Sequence, residues 1–437
     1  MLALAWPLVL SNLTMSLIQA TDVWLMGRLS AHALAASALG LNLAMPLTIF
    51  AMGLGLASAP LMSQALGRRA NNVRDVRRTL RQTAWAVFAV TVPLQLILWH
   101  GEAVLLLFNQ PPALARDAGV FLHGYQWSMW PFLLFQLLRN FASALERPTP
   151  VMLLSALGIP LNALLGWGLI FGTGPLPALG IFGGGLATTI TWTILAAGLA
   201  LVVLRDRQFR RFRLFGRWWE GDRARFSEVC RLGLPIALTL VFEAAVFGAA
   251  IFLMGLINDA SVAAHAIALQ LAALTFMVPL GLAQAGTVRV GLAKGRGDPA
   301  SVARAGWTAL ALGIAFMAST AAVMWLVPRP LVSLFLPNGD VQVIKLAVSF
   351  LLVAAAFQIF DGAQVVAAGI LRGLGDTTLP MLIAAFGYWV IGIGVGTVLA
   401  FPLGWQGVGV WTGLAAGLAV VSVLLIARWR RLLRQAA

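Results

Sequence analysis

Charge is scarce in this chain. Only 10% of its 437 residues are Asp, Glu, Lys or Arg, while 60% are hydrophobic and the mean hydropathy is +0.89. Soluble domains carry about 25% charged residues, so a soluble globular fold is excluded and an integral membrane protein implied. Cysteine is nearly absent too: Cys230 stands alone, which excludes an intrachain disulfide and a cysteine-cluster metal site. The opening MLALAWPLVL lacks the basic n-region of a signal peptide. It reads as the start of a first spanning helix, with room for a short charged segment upstream. The patterns GxxxxGK(S/T), HExxH and GxSxG are all missing, so no ATP loop, no common hydrolase motif and no cofactor are expected.

What is there is basic and punctuated. Lys and Arg number 30 against 15 acids, a net charge of +15. The basic residues lie in short segments between apolar runs, without a folded soluble domain, so no nucleic-acid partner is expected and the lipid bilayer is. Taking about 20 apolar residues per crossing, the sequence divides into twelve spans, near 3–27, 38–64, 82–100, 118–141, 150–171, 183–204, 231–256, 264–290, 304–327, 344–370, 380–402 and 407–427. Gly and Pro mark the joints, as in GTGPLPALG before the sixth span and FPLGWQG before the twelfth. Twenty-five basic residues fall on one side of these spans and four on the other (Arg28, Arg116, Arg329 and Lys345), with Arg139 inside the fourth. That asymmetry puts both termini and the Arg-rich linker 205–230 in the cytoplasm. The linker itself reads as a solvated loop touching anionic headgroups.

The chain repeats itself. A shift of 228 aligns residues 2–68 with 230–296 without a gap, and 18 of the 67 pairs are identical. Pro7 meets Pro235, WLMG at 24–27 meets FLMG at 252–255, and Gly53 meets Gly281. Further on, LGIFGGGLAT at 179–188 recurs as LGWQGVGVWT at 403–412. The expected architecture is therefore all-α, with two parallel six-helix repeats: 1–204, a basic linker 205–230, and 231–437. In such repeats a site is expected where the halves meet.

Three acids break both the apolar background and the repeat. Asp22, Glu243 and Asp361 stand opposite Ala250, Met15 and, with one residue of drift, Phe132. A carboxylate at membrane depth costs about 2.5–3.5 kcal/mol on insertion scales, so such residues face a bundle interior or a wet cavity. Asp22, six residues from Arg28, is about 9 Å deep; Glu243 and Asp361, counted from Arg231 and Arg372, are both about 16–18 Å deep. Their matched depth makes them a candidate pair that binds one monovalent cation; the alternative is two independent structural acids, each bonded to a neighbouring helix. Asp22 could alternatively be an interfacial aspartate paired with Arg28. Gln270, Gln284, Gln358 and Gln364 are candidate cavity lining, each also explicable as an interhelical hydrogen-bonding residue. Asn12 and Gln19 extend the polar content of the first span. His265 reads as a packing histidine.

These segments resemble the multidrug and toxic compound extrusion (MATE) family, NorM-like branch, over essentially the whole chain. The resemblance rests on GLPIALTLVFE ending at Glu243, FQIFDGAQVVAAGILRG around Asp361, IPLN at 159–162, and the 6+6 organisation. It implies a V-shaped, two-lobed, cation-coupled exporter of organic, often cationic, compounds in the bacterial inner membrane, expected to be monomeric. Glu243 and Asp361 would form the cation site of the second lobe, for Na⁺ or H⁺, and Asp22 with Asn162 the polar site of the first. Two positions depart from such relatives: Phe357 stands where a Tyr is common, and Gly158 where an Asn is. A lipid-linked flippase of the wider superfamily is the nearest rival, although such proteins often have basic cavities. A major-facilitator transporter is disfavoured because Asn71 stands where its loop signature needs Asp. A membrane-embedded enzyme lacks a nucleophile or metal cluster, and a passive channel fits the lobed repeat poorly.

Overall fold

A computed structural model describes residues 1–68, 72–173, 177–336 and 340–436, and the described chain is almost entirely helical. Arg69 and part of the GTGPLPALG joint lie outside those residues. The long elements are α1 (Leu2–Leu29), α2 (Ala31–Arg68), α3 (Asn72–Trp99), α4 (112–144), α5 (Thr149–Phe171), α6 (Gly180–Arg205), α7 (Arg223–Ile257), α8 (Asp259–Arg296), α9 (Pro299–Leu326), α10 (Val341–Gly373), α11 (Thr378–Ala400) and α12 (Gln406–Ala436). All but α4 are long and apolar enough to cross a bilayer. The fourth is split by a tight 3₁₀ turn at Gln126–Ser128. The protein is thus a multi-pass helical membrane protein, its spans satisfying most of their backbone polar groups within their own helices.

Several helices run past the apolar segments seen in the sequence. α8 and α10 extend several residues at both ends, and α3 starts ten residues early, at Asn72. Outside hydrocarbon the polar turns remain helical because side chains satisfy their free amides. Asp298 accepts the Ser301 N–H before α9, and Asp340 the Gln342 N–H before α10.

The chain folds into two units, Leu10–Ala237 and, together, Met1–Val9 with Leu238–Ala437. The start of α1 therefore groups with the second unit, and the linker plus the start of α7 with the first. The 228-residue shift survives in the packing. Ser30 and Asn258, which it relates, both have extended backbone and cap α2 and α8 by accepting the N–H three residues on. It also relates Gly53 to Gly281 and Val9 to Ala237. In the first unit a Cβ on Gly53 would lie 2.4 Å from Ala237 Cα; in the second, one on Gly281 would lie 2.5 Å from Val9 Cγ2. Only glycine allows these crossings.

The Arg-rich linker is not a solvated loop. Phe209, Phe212 and Leu214 are buried in the core of the first unit, and Phe141 of α4 meets the rings of Phe209 and Phe212 at 5.5 and 5.3 Å. Polar contacts tie the rest to the early turns of α3. Arg78 pairs with Asp222, Arg81 donates to Arg217 O at 2.7 Å and to Glu220, and Gln82 donates to Glu220 O at 3.0 Å. Burial alone would raise the Asp222 and Glu220 carboxyls. The N–H of Arg225 with Arg78 holds Asp222 below the ordinary carboxylate range instead, and Arg81 with Arg217 does so for Glu220. The expectation of a solvated loop fails because the arginines outnumber the three anchoring apolar residues and mask them in the sequence.

Candidate functional site

In the second unit, Asp361 and Gln364 lie one turn apart on one face of α10, and Glu243 reaches them from α7. The Gln364 Nε2 group is 3.4 Å from both Glu243 Oε1 and Asp361 Oδ1, so one amide bridges two carboxyls on different helices. Asp361 and Gln364 are buried. On its other side Gln364 Oε1 accepts the Tyr388 hydroxyl at 2.9 Å. Tyr388 belongs to Phe386–Ile393, a π-helical stretch inside α11. Such widened turns recur at functional sites because the extra residue per turn re-aims a side chain. Gly387 lets α12 approach there: a Cβ on it would lie 2.2 Å from Val421 Cγ2.

Beside the acids is a small pocket of about 10 Å³, room for about one water, where Glu243 is the only charged residue among its described lining of Phe247, Phe357, Tyr388, Leu414 and their neighbours. Phe357 is buried there, edge-on to Trp411 at 5.5 Å and to Phe247 at 6.2 Å. The site thus combines acidic oxygens with aromatic faces, which attract cations.

The glutamines named from sequence do different things. Gln358 accepts from Thr275 Oγ1 at 2.7 Å and donates to Met324 Sδ, which ties α10 to α8 and α9. Gln270 is exposed, and Gln284 is half-buried. Buried His265 packs 5.3 Å from Trp411, and its ring nitrogens make no hydrogen bond among the described residues.

The first unit holds Asp22. Thr188 Oγ1 of α6 donates to Asp22 Oδ2 at 3.0 Å. Asn162, fully buried on α5, faces the same carboxyl, yet neither atom of its amide closes a hydrogen bond among the described residues. Tyr125 of α4 is near enough to feel the Asp22 charge. Arg28 instead stacks on Trp24, 4.8 Å from the ring centre, and forms no ion pair with Asp22 among the described residues. Gly158 lets α5 lie close to its neighbours: a Cβ there would be 2.8 Å from Ile18 Cδ1 and 2.9 Å from Leu195 Cδ1. Further along α1, Asn12 Oδ1 accepts from Arg139, which is buried.

Thr188, Tyr125 and Tyr388 did not emerge from the sequence. A signal existed for the tyrosines, since the chain has only two and each lies beside an intramembrane acid.

Two repeated six-helix units, each carrying at least one acid within a spanning helix, are the build of a membrane transporter. A family model described as MatE matches residues 7–167 and 235–398. The chain is 52% identical over 433 residues to a Mesorhizobium japonicum protein named as a probable multidrug resistance protein NorM, covering 98% of this chain and 93% of that one. It is 50% identical to a Brucella suis protein of the same name, with 98% and 92% covered. Among solved structures, a Vibrio cholerae MATE transporter, VcmN, superposes with a TM-score of 0.89 at 17% identity, covering 99% of this chain and 96% of that one. The chain belongs to the MATE family, in its NorM-like branch.

Proposed function

We propose that the protein exports organic, mostly cationic, drugs and toxic compounds across the bacterial inner membrane, by alternating access, in exchange for Na⁺ or H⁺. The carrying observation is the Glu243–Gln364–Asp361 bridge beside an aromatic cavity. Two acids from different helices converge where a single monovalent cation would neutralise them. Competition between that cation and a cationic cargo for the same charge is a direct way to couple their movements. Asp22, with Asn162, Thr188 and Tyr125, is the polar site of the first unit. The names of the relatives support multidrug export, and the acidic character of both sites disfavours the flippase reading. Both termini and the linker are cytoplasmic in this proposal, and the protein works as a monomer.

The test is dye efflux from proteoliposomes under a Na⁺ gradient alone and a pH gradient alone. One of the two should drive export, and Glu243→Gln or Asp361→Asn should each abolish it. Export driven by neither gradient, or unaffected by both neutralising substitutions, would overturn the proposal.

A further inference from the structure

The Gln364 amide has a definite orientation, fixed by its neighbours. The NH₂ side faces Glu243 and Asp361 and the carbonyl accepts from the Tyr388 hydroxyl, the orientation that suits ionised carboxylates, which only accept hydrogen bonds. The two amide contacts to the acids are long, at 3.4 Å, whereas the tyrosine bond is of ordinary length, at 2.9 Å. Tyr388 is therefore the firmer anchor, and it holds the amide between the acids. Phe357, four residues before Asp361 on α10, has no hydroxyl to contribute, so this phenol from α11 is the one that reaches the bridge.

A cation between these carboxyls needs oxygens around it. The NH₂ group presents hydrogens at that place and would repel the ion. It acts on the acids as the ion would, by supplying positive hydrogens to both, but without a net charge. We infer that Gln364 is a built-in stand-in for the coupling cation, that the cation must displace its NH₂ group from between Glu243 and Asp361, and that Tyr388 is the positioning residue that keeps it there and so sets the cation affinity. Arg372, at the end of α10, is the cation whose field reaches Glu243, and the stand-in adds to its effect. A site satisfied when empty can release its ion. Without the stand-in, the two acids would hold the cation more firmly. The inference rests on the proposed cation site and adds to it who competes for that site.

The direction of the effect separates this role from two others. A residue that coordinates the ion weakens binding when removed. A residue that merely packs changes the amount of folded protein or the maximal rate, not the binding constant. A stand-in tightens binding when removed. Gln364→Leu deletes the competing donor, and the expected change is on the order of tenfold tighter binding, the effect of losing one hydrogen bond to a charged group. Tyr388→Phe removes only one hydroxyl and loosens the amide, and a shift of about threefold in the same direction is expected.

The experiment is equilibrium binding of ²²Na⁺ to purified full-length protein at pH 8, with choline balancing ionic strength. Proton uptake at constant salt is measured in parallel, so that either coupling ion is read. Wild type, Tyr388→Phe, Gln364→Leu, Glu243→Gln and Asp361→Asn are compared, with dye efflux giving the maximal rate. Loss of ion binding in the two acid variants together with tighter binding in Tyr388→Phe and Gln364→Leu is the expected result. If wild type binds neither ion, or if the acid variants still bind it, the cation site and the stand-in fall together. If the acid variants lose binding but Tyr388→Phe leaves the constant unchanged or weakens it, the stand-in is wrong and the cation site stands. Tyr388→Phe keeps the test decisive should Gln364→Leu fail to fold.

Discussion

Phe212 is the residue to remove if the linker is a latch. It is fully buried, packed edge-on against Phe141 of α4, with the Arg211 guanidinium 4.8 Å over its ring. A buried phenylalanine truncated to alanine costs about 3–5 kcal/mol, since transfer and cavity terms add. Opening of the latch leaves the spanning helices in place, so the loss should appear as local opening rather than global unfolding. At about 1.4 kcal/mol per factor of ten, the open population rises between about a hundred-fold and a few thousand-fold, until the latch is open all the time. The linker contains Arg207, Arg210, Arg211, Arg213 and Arg217, so trypsin reads the open state directly. When closing is faster than cleavage, the rate follows the open population. Phe212→Ala in nanodiscs should be cut into two fragments, each roughly half of the 46.5 kDa chain, at least about a hundred times faster than wild type. Trp219→Ala is the control. Trp219 is 79% exposed, and its loss should change the rate by no more than about twofold. Cleavage of Phe212→Ala at the wild-type rate would refute the burial argument.

The remaining expectations follow from the same contacts. Asp222 and Glu220 titrate below the ordinary carboxylate range, so their ion pairs stabilise the latch above about pH 4 and are lost as the pH falls through their lowered values; hydrogen-exchange protection of 206–222 should be unchanged at pH 5 and weaken only below about pH 4, the buried phenylalanines holding the rest. Asp22→Asn preserves volume and should impair dye efflux at near-normal membrane abundance, whereas failure of the protein to accumulate would make Asp22 structural. In a Cys230→Ser background, an impermeant thiol reagent added outside cells should label a cysteine at 329 and miss those at 74 and 217; labelling at 217 would reverse the orientation. Gly53→Val places a side chain against Ala237 backbone atoms and should lower the yield of folded protein, as measured by size-exclusion profile, more than Gly248→Val, which meets nothing within 4 Å.

How much of this was legible in the sequence depends on what each group costs to bury. Asp22, Glu243 and Asp361 stood out because an intramembrane carboxylate is expensive, so each had to have a reason. Their helical depth then brought Glu243 and Asp361 to one level, and the structure joins them through one amide. Gln, Thr and Tyr are cheaper to bury and are used freely as interhelical glue. Nothing in the sequence distinguishes Gln364, which bridges the acids, from Gln358, which ties α10 to α8 and α9, since both lie on one helix, three residues either side of Asp361. The choice is made by what stands opposite: Thr275 and Met324 for one, Glu243 and Tyr388 for the other. The same limit hid the latch, where Phe209 and Phe212 had the spacing of a packed turn but their partner, Phe141, lies on a helix far back in the chain. Charges buried in a membrane announce a site. The neutral groups that decide what the site binds are set by helix–helix register, which a single sequence does not contain.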